Sequence, residues 1–549
     1  MGQRAGHEAS RDQARPDGDE PASPEAEACR PGQLLMPSGD APVFLSELAG
    51  PDLVVVSATP GAGPALAGGD ASLIGCRLAD VVHGPGGQQF VETLQSVHAT
   101  GRHTRNVLWS APAAGGPDEA GQAMFSVSAV PVRRPDGSAW GLVVAGLGLS
   151  RRQSGTHDTR RAAGLTAAFG PPRPGPAEED HGIPRGLPVL PGVRLAARHV
   201  PAGTEAGDGG WLDAVMLSDG VIALMAGIAG RPIRRAPGTV AYLRPALREM
   251  LLAGAGPAET LASVEDLAAG SADARGPGAC LARLDPASGE VSYASVGHLM
   301  LLLSTPAGEP GFLPRSGSEP PGRDGHPGAG AAVLPPGGVL LLCRGGQEEA
   351  TMADRGRLAD LAASVITSNG SRAADTADRV CAAVAEWLAR TGNGGEAIAL
   401  AAHRLPEPAA GWSMQFPADP QALTGLRAGL RAWLEDLGAG TADRADVELA
   451  VWEAAVNAAV HGRPSQGAGT VTVQAGLDGT GNVLIQVTDR GQWRLGGSAD
   501  SGQGWAGGRG LSVISQVTDE VSIAPGPAGT TMTMRRRLRH PVSLRPAPT

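Results

Sequence analysis

Two short stretches hold residue types that could do chemistry together. Residues 207–214 read GDGGWLDA, with Asp208 and Asp213 flanking a Gly-Gly-Trp. Carboxylates beside a tight glycine turn are what a divalent cation needs, because hard ions take oxygen ligands. The second stretch is DVELAVWEAAVNAAVHG, residues 446–462, in which Glu453 and Asn457 are four apart and so share one face of a helix. Downstream come Asp489-Arg490-Gly491 at the end of an apolar run, Gly507-Gly508-Arg509-Gly510-Leu511, and Gly529-Thr530. A glycine-rich loop opening a helix presents backbone N–H groups that can cradle phosphate.

These residues need elements to hold them. Val447, Val451, Ala454, Ala455 and Ala458 recur at helical spacing, which predicts an amphipathic helix with Glu453 and Asn457 at one edge. NVLIQVTDRGQW reads as a strand ending at Asp489, and GPAGTTMTMRR as a turn into a final strand. Each feature alone is weak, because an acid and an amide on one helix face are usually solvated and Asp-x-Gly is usually a turn. Their order along the chain is the specific signal.

Composition excludes several chemistries. All 45 basic residues are arginine, so a lysine-dependent phosphate loop and Schiff-base chemistry are absent. A formal charge of -10 without a long basic face argues against nucleic acid as a partner. The five cysteines are scattered without a CxxC spacing, so neither a zinc site nor a disulfide framework is indicated, and a reducing cytoplasm fits. The polar N-terminus lacks a signal-peptide core, and runs such as HLMLLL are far shorter than the ~20 residues of a membrane helix. The basic run RRRLRH, Arg535 to His540, reads as a solvated terminal strand and tail.

Residues 1–41 read as disordered, being charged, proline-rich and without period. Residues 42–150 hold a buried strand (DLVVVS), an amphipathic helix (QQFVETLQSVHATG) and a closing hairpin of long strands turning at Pro135-Asp136-Gly137. The pattern resembles a PAS sensor domain. Cys76, in LIGCRLADVV, is out of register for a photoreceptor cysteine and reads as a small core residue, and His98 and His103 read as surface histidines. No ligand for the sensor is named. A linker at 151–186 precedes a unit at 187–404, and a short linker at 405–411 precedes the last unit at 412–540, with a tail at 541–549.

The unit at 187–404 resembles the SpoIIE-type family of metal-dependent serine/threonine phosphatases through LPVLPGVRLAARHVPAG, GDGGWLDA, RLDPASGEVSYASVGH and LPPGGVLLL. The resemblance implies a PPM-type α/β sandwich with two Mn²⁺ or Mg²⁺ ions in an aspartate cluster. This sequence departs from that cluster. Gly210 stands at the first aspartate, Ile228 at the second, with Arg231 and Pro232 following, and Gly345 at the third; Glu396 is the one carboxylate kept at the last. Asp208 is two residues from the first position, and an offset of two in a strand moves a carboxylate by ~6.5 Å. The expectation is an intact scaffold with degenerate metal positions and without resident Mn²⁺ or Mg²⁺.

The unit at 412–540 resembles the GHKL (Bergerat) ATP-binding domain, an α/β sandwich shared by gyrase, Hsp90, histidine kinases and RsbW-like anti-sigma factor kinases. The resemblance implies ATP and Mg²⁺ as cofactors. It assigns Asn457 as Mg²⁺ ligand, Asp489 as acceptor for the adenine amino group, and Gly491 as the point of close approach to the base. Gly508, Arg509 and Gly510 become the phosphate cradle, Thr530 a hydroxyl near the adenine, and Glu453 the general base. The entry FPADP and the tail NAAVHG look RsbW-like, and no phosphoacceptor-histidine helix precedes the domain.

Together these imply an α/β (α+β) multidomain, cytoplasmic signalling protein similar to actinobacterial partner-switching regulators. Its implied reaction is Mg·ATP-dependent serine phosphorylation of a STAS-domain anti-sigma factor antagonist. A sigma factor is a further possible partner, a homodimer is possible, and neither nucleic acid nor membrane is expected. The alternatives are a bifunctional enzyme with an active phosphatase unit, or a non-catalytic module whose ATP only shapes an anti-sigma surface.

Overall fold

The computed structural model describes residues 43–58, 66, 73–82, 87–111, 123–134, 136–149, 182–201, 209–218, 220–228, 236–262, 278–297, 299–306, 310–314, 328–344, 352–368, 375–391, 396–461, 469–491, 507–526 and 529–544. The expected disorder at 1–41, most of the linker at 151–186, and Cys29, Asp208, Arg231, Pro232 and Gly345 lie outside them.

The first unit is built on β1 (Val43–Ala49), β2 (Val54–Ala58), β3 (Thr104–Ala111), β4 (Ala123–Arg133) and β5 (Ala139–Leu149), with helix α1 (Gly87–Thr100). The strands pair antiparallel in the order β2-β1-β5-β4-β3. Its core joins Leu48, Leu94, Val127, Leu142 and Val144 to Phe90 and Trp109, whose rings stack 4.8 Å apart. Cys76 is half-buried rather than a core residue.

The middle unit is two facing sheets. One orders β14 (Gly330–Val333), β11 (Glu290–Val296), β10 (Gly278–Leu284), β9 (Ile222–Ile228) and β8 (Gly210–Met216); the other orders β13 (Gly311–Phe312), β12 (Met300–Ser304), β15 (Val339–Arg344), β16 (Ala397–Arg404), β7 (Val193–Val200) and β23 (Ser543–Leu544). The strands that matter below are β7, β8, β9, β15 and β16. Alternate residues of both sheets meet in the central core, for example Leu212, Leu224, Leu342 and Leu400. Their outer faces pack under helices: α2 (Ala236–Leu252) on the first sheet, α3 (Met352–Ser368) and α4 (Thr376–Thr391) on the second. Burial on both faces explains why these strands are continuous apolar runs instead of alternating ones.

The last unit is an antiparallel sheet covered on one face by helices. The sheet order is β17 (Trp412–Pro417), β18 (Thr470–Leu477), β19 (Asn482–Thr488), β21 (Gly529–Arg537), β20 (Glu520–Gly526). Helices α5 (Leu426–Asp436), α6 (Thr441–His461) and α7 (Gly507–Val517) bury Leu430, Leu434, Val447, Val451, Ala455 and Ile514 against it. Asp419 starts the segment before α5 by accepting a hydrogen bond from Gln421 N at 3.0 Å. Among the described residues no helix is long and apolar enough to cross a membrane.

The basic C-terminal run is not a solvated tail. Arg536 reaches Asp446 at 2.6 Å and Asp443 at 2.9 Å. Beyond it, β22 (Arg539–Pro541) pairs with β6 (Gly186–Pro188), and β23 (Ser543–Leu544) adds parallel to β7 in the middle unit. His540 donates to Gly438 O at 2.7 Å and to Asp378 Oδ1, on α4, at 2.9 Å. Charge spacing alone could not reveal that these arginines have partners far off in sequence.

Candidate functional site

Helix α6 buries Ala450, Val451, Ala454, Ala455 and Ala458 and leaves Glu453 and Asn457 half-buried at its edge. Small alanines on the buried stripe let α7 pack close against it. The first turn of α7 holds Gly508, Arg509 and Gly510 in helical conformation. A Cβ at Gly510 would lie 3.0 Å from Glu453 Oε2 and 3.3 Å from Asn457 Nδ2, so a larger residue there would have to push those two side-chain ends away. The helix start, the acid and the amide are thereby one cluster.

A second cluster sits at the end of β19. Asp489 is 8 % exposed and accepts from Gly491 N at 2.9 Å and from Thr530 N at 3.4 Å, both at Oδ1. Burial pushes its carboxyl up to about 6, against the lowering effect of those two N–H groups. Gly529 has φ +138°, and any Cβ there would collide with Asp489 O. The Thr530 hydroxyl beside it is buried and has no hydrogen-bond partner among the described residues. A carboxylate with a free oxygen edge and an orphaned hydroxyl fit a ligand that carries both a donor and an acceptor, as an adenine does.

The expected phosphatase positions also converge, but around a different chemistry. Gly210 of β8 pairs with Ile228 of β9, and Glu396 lies against Gly210. Glu396 Oε2 accepts from Gly210 N at 3.1 Å, and Oε1 accepts from His199 Nε2 at 2.6 Å. Both side chains are nearly closed off, with His199 at 9 % and Glu396 at 8 % exposure. A Cβ at Gly210 would come within 2.7 Å of Glu396 Oε1, so the carboxylate occupies the space that a side chain at 210 would need. No local pattern marks His199, one polar position in the strand VRLAARHV.

Asp213 does not join this cluster. On β8 it alternates with Gly210 and Leu212 and points to the opposite face, under α2. There Ala214 N donates to Oδ1 at 2.8 Å and Arg248 lies 3.4 Å from Oδ2. Burial raises its carboxyl, and Arg244 and Arg248 offset part of that. Among the described residues no group of three or more His, Cys, Asp or Glu is placed to hold a metal ion. One carboxylate already bonded to a histidine and a backbone N–H does not fit a two-metal cluster.

Residues 416–536 match the family described as "Histidine kinase-like ATPase domain", and residues 234–404 match "Stage II sporulation protein E (SpoIIE)". Among solved structures, the RsbU and RsbW domains of Rv1364c from Mycobacterium tuberculosis are 30 % identical, covering 66 % of this chain and 99 % of that one with a TM-score of 0.55. This chain belongs to the RsbU–RsbW family. Its middle unit is the SpoIIE-type, RsbU-like domain and its last unit the RsbW-like, histidine kinase-like ATPase domain, a domain type that uses ATP and Mg²⁺. Two phosphatase structures also match. The PP2C phosphatase domain with a regulatory fragment of SpoIIE from Bacillus subtilis is 12 % identical, covering 58 % of this chain and 86 % of that one, with a TM-score of 0.33. The SiaA-PP2C domain of Pseudomonas aeruginosa is 18 % identical, covering 47 % and 100 %, with a TM-score of 0.31.

Proposed function

We propose that this chain is a cytoplasmic partner-switching regulator whose RsbW-like domain phosphorylates a serine of a STAS-domain anti-sigma factor antagonist. An N-terminal PAS-type sensor and an RsbU-like domain that has lost its metals control it. The observation that carries the kinase reading is the seating of Gly510 against Glu453 and Asn457, with Asp489 and Thr530 forming a second polar cluster.

Each group has a role in that reaction. Asp489 and Thr530 orient the adenine, and Gly491 leaves room for the base. The N–H groups of Gly508, Arg509 and Gly510 hold the phosphates at the start of α7. Bound Mg²⁺, held by Asn457 Oδ1, would neutralise phosphate charge. Glu453 takes the proton of the antagonist serine as its Oγ forms a bond to the γ-phosphorus; the β,γ-bridging P–O bond breaks and ADP leaves.

In the RsbU-like domain, the His199–Glu396 pair supports loss of metal-dependent hydrolysis. The domain then acts as a scaffold or a phosphoprotein-binding surface. The test is transfer of labelled phosphate from ATP to a STAS-domain antagonist by the full chain. Glu453→Gln should slow transfer by roughly 10²- to 10⁴-fold and keep nucleotide binding. If sigma control survives in that variant, the domain works only as an ATP-shaped binding module. Mn²⁺-dependent aryl phosphate hydrolysis by the Glu453→Gln chain would overturn the loss of phosphatase function.

A further inference from the structure

Strands β4 and β5 of the N-terminal sheet are buried on both faces, whereas antiparallel sheets commonly leave one face to water. Along β4 and β5, Val127, Ala129, Leu142 and Val144 face the sheet's own core, whereas Val130, Val132, Val143 and Ala145 join the core of the ATPase domain. What they meet there is α7, which packs on β1, β3, β4 and β5. On α7, Leu511, Ser512, Ile514, Ser515 and Val517 are all buried, so the helix is covered around most of its girth: by α6 on one side and by the N-terminal sheet on another.

Two further contacts fix the pair. His103 Nε2 donates to Ser515 O at 3.1 Å. Ser515 lies in the last turn of α7, where helix carbonyls lack intrahelical partners, so the N-terminal unit caps the helix. The two sheets meet through one parallel bridge, Ile523 to Val132. The contact is also imperfect. Ser128, paired across the sheet with Ala145, is 2 % exposed and its hydroxyl has no hydrogen-bond partner among the described residues. A buried hydroxyl without a partner costs free energy, so the docking is weaker than an all-apolar contact would be.

The other end of α7 is the phosphate cradle. Eleven residues at ~1.5 Å each span only ~16 Å, so one rigid rod joins the N-terminal sheet to Gly510, Glu453 and Asn457. We propose that the outer face of the N-terminal sheet is a clamp on α7 and sets the affinity of the cradle: docked, α7 is held against α6 and nucleotide binds tightly; released, it binds weakly. By reciprocity, bound nucleotide tightens the docking. The proposal rests on the reading of the last unit as an Mg·ATP site.

The test uses the full chain and a fluorescent methylanthraniloyl ATP with Mg²⁺. Val143→Asp places a charge on the docking face and leaves the inward residues of β5 intact. The expected result is at least tenfold weaker nucleotide binding, with faster amide exchange in α7 and unchanged exchange around Leu48 and Trp109. Should Val143→Asp fail to fold, the near-isosteric Val143→Thr and the separate His103→Ala should each weaken binding about threefold. Unchanged or tighter binding in variants whose α7 exchanges faster would overturn the clamp, and so would unchanged exchange in α7. A wild-type chain that takes up no nucleotide would instead overturn the ATP-site reading itself.

Discussion

Gly510 and Gly210 each stand within touching distance of a glutamate, and the two sites differ in what that proximity is for. At Gly510 the missing side chain lets the start of α7 approach Glu453 and Asn457, and both polar groups stay half-exposed at the edge of α6. At Gly210 the missing side chain makes room for Glu396, which is sealed against His199 and a backbone N–H. One glycine keeps a site open to a ligand, and the other lets a protein group fill the place of one. The lesson is that a carboxylate near a glycine marks a site only if its oxygens are left with something to do.

The largest effect that should separate the two sites is on phosphotransfer. Glu453→Gln is expected to slow transfer by roughly 10²- to 10⁴-fold, the usual contribution of a general base, without loss of ATP affinity. Radiolabel transfer and nucleotide titration check it. Glu396→Gln should leave transfer at the wild-type rate, and a comparable loss there would erase the contrast.

The next effect is on stability. Removing His199 leaves Glu396 buried without its shortest hydrogen bond, so His199→Ala should destabilise the RsbU-like domain by roughly 2–4 kcal/mol. Urea unfolding followed by tryptophan fluorescence would show it. A higher midpoint for the variant would mean that the pair is not structural. Restoring the aspartate alone, Gly210→Asp, should also destabilise by about 2 kcal/mol, because its Cβ crowds Glu396 and adds a like charge.

A smaller effect concerns pH. Asp489 titrates near about 6, so between pH 7 and pH 5 its ionised fraction falls about tenfold, and ATP affinity should fall by the same factor. Because burial raises this group, its neutral form is favoured on folding, and acid should weaken binding without unfolding the domain through Asp489. Asp489→Asn should flatten the profile.

The smallest effect lies at the junction of the domains. Burial pushes the His540 imidazole down, but its bonds to Asp378 and Gly438 more than offset this and raise it. A raised histidine contributes stability below the unfolded value, and the contribution is lost as pH rises through the folded value. The melting temperature should therefore drop by a few degrees between about pH 6 and about pH 8.5, and His540→Asn should remove that dependence.

Much of this was legible in the sequence where chemistry is local. Glu453 and Asn457 share a helix turn, and Asp489 and Gly491 share a strand end, so short-range periodicity was enough. The His199–Glu396 pair spans 197 positions, and no local pattern announces it. The docking face of the N-terminal sheet was half-legible. AVPV in β4 and LVVA in β5 are apolar on both faces, a sign of a second covering layer, but not of which layer. The partners of Arg536 and His540 were hidden for the same reason as His199.

The last strands of the chain have a further consequence. β22 and β23 follow the ATPase domain in sequence and hydrogen-bond to the RsbU-like domain, whose first strands are made some 350 residues earlier. On the ribosome, the RsbU-like sheet stays one strand short until residues 543–544 emerge, by which time the whole ATPase domain has been synthesised. Birth order and assembly order therefore run in opposite directions at this edge. A nascent chain that stops early lacks more than its tail, because a domain completed long before is left with an open edge beside β7.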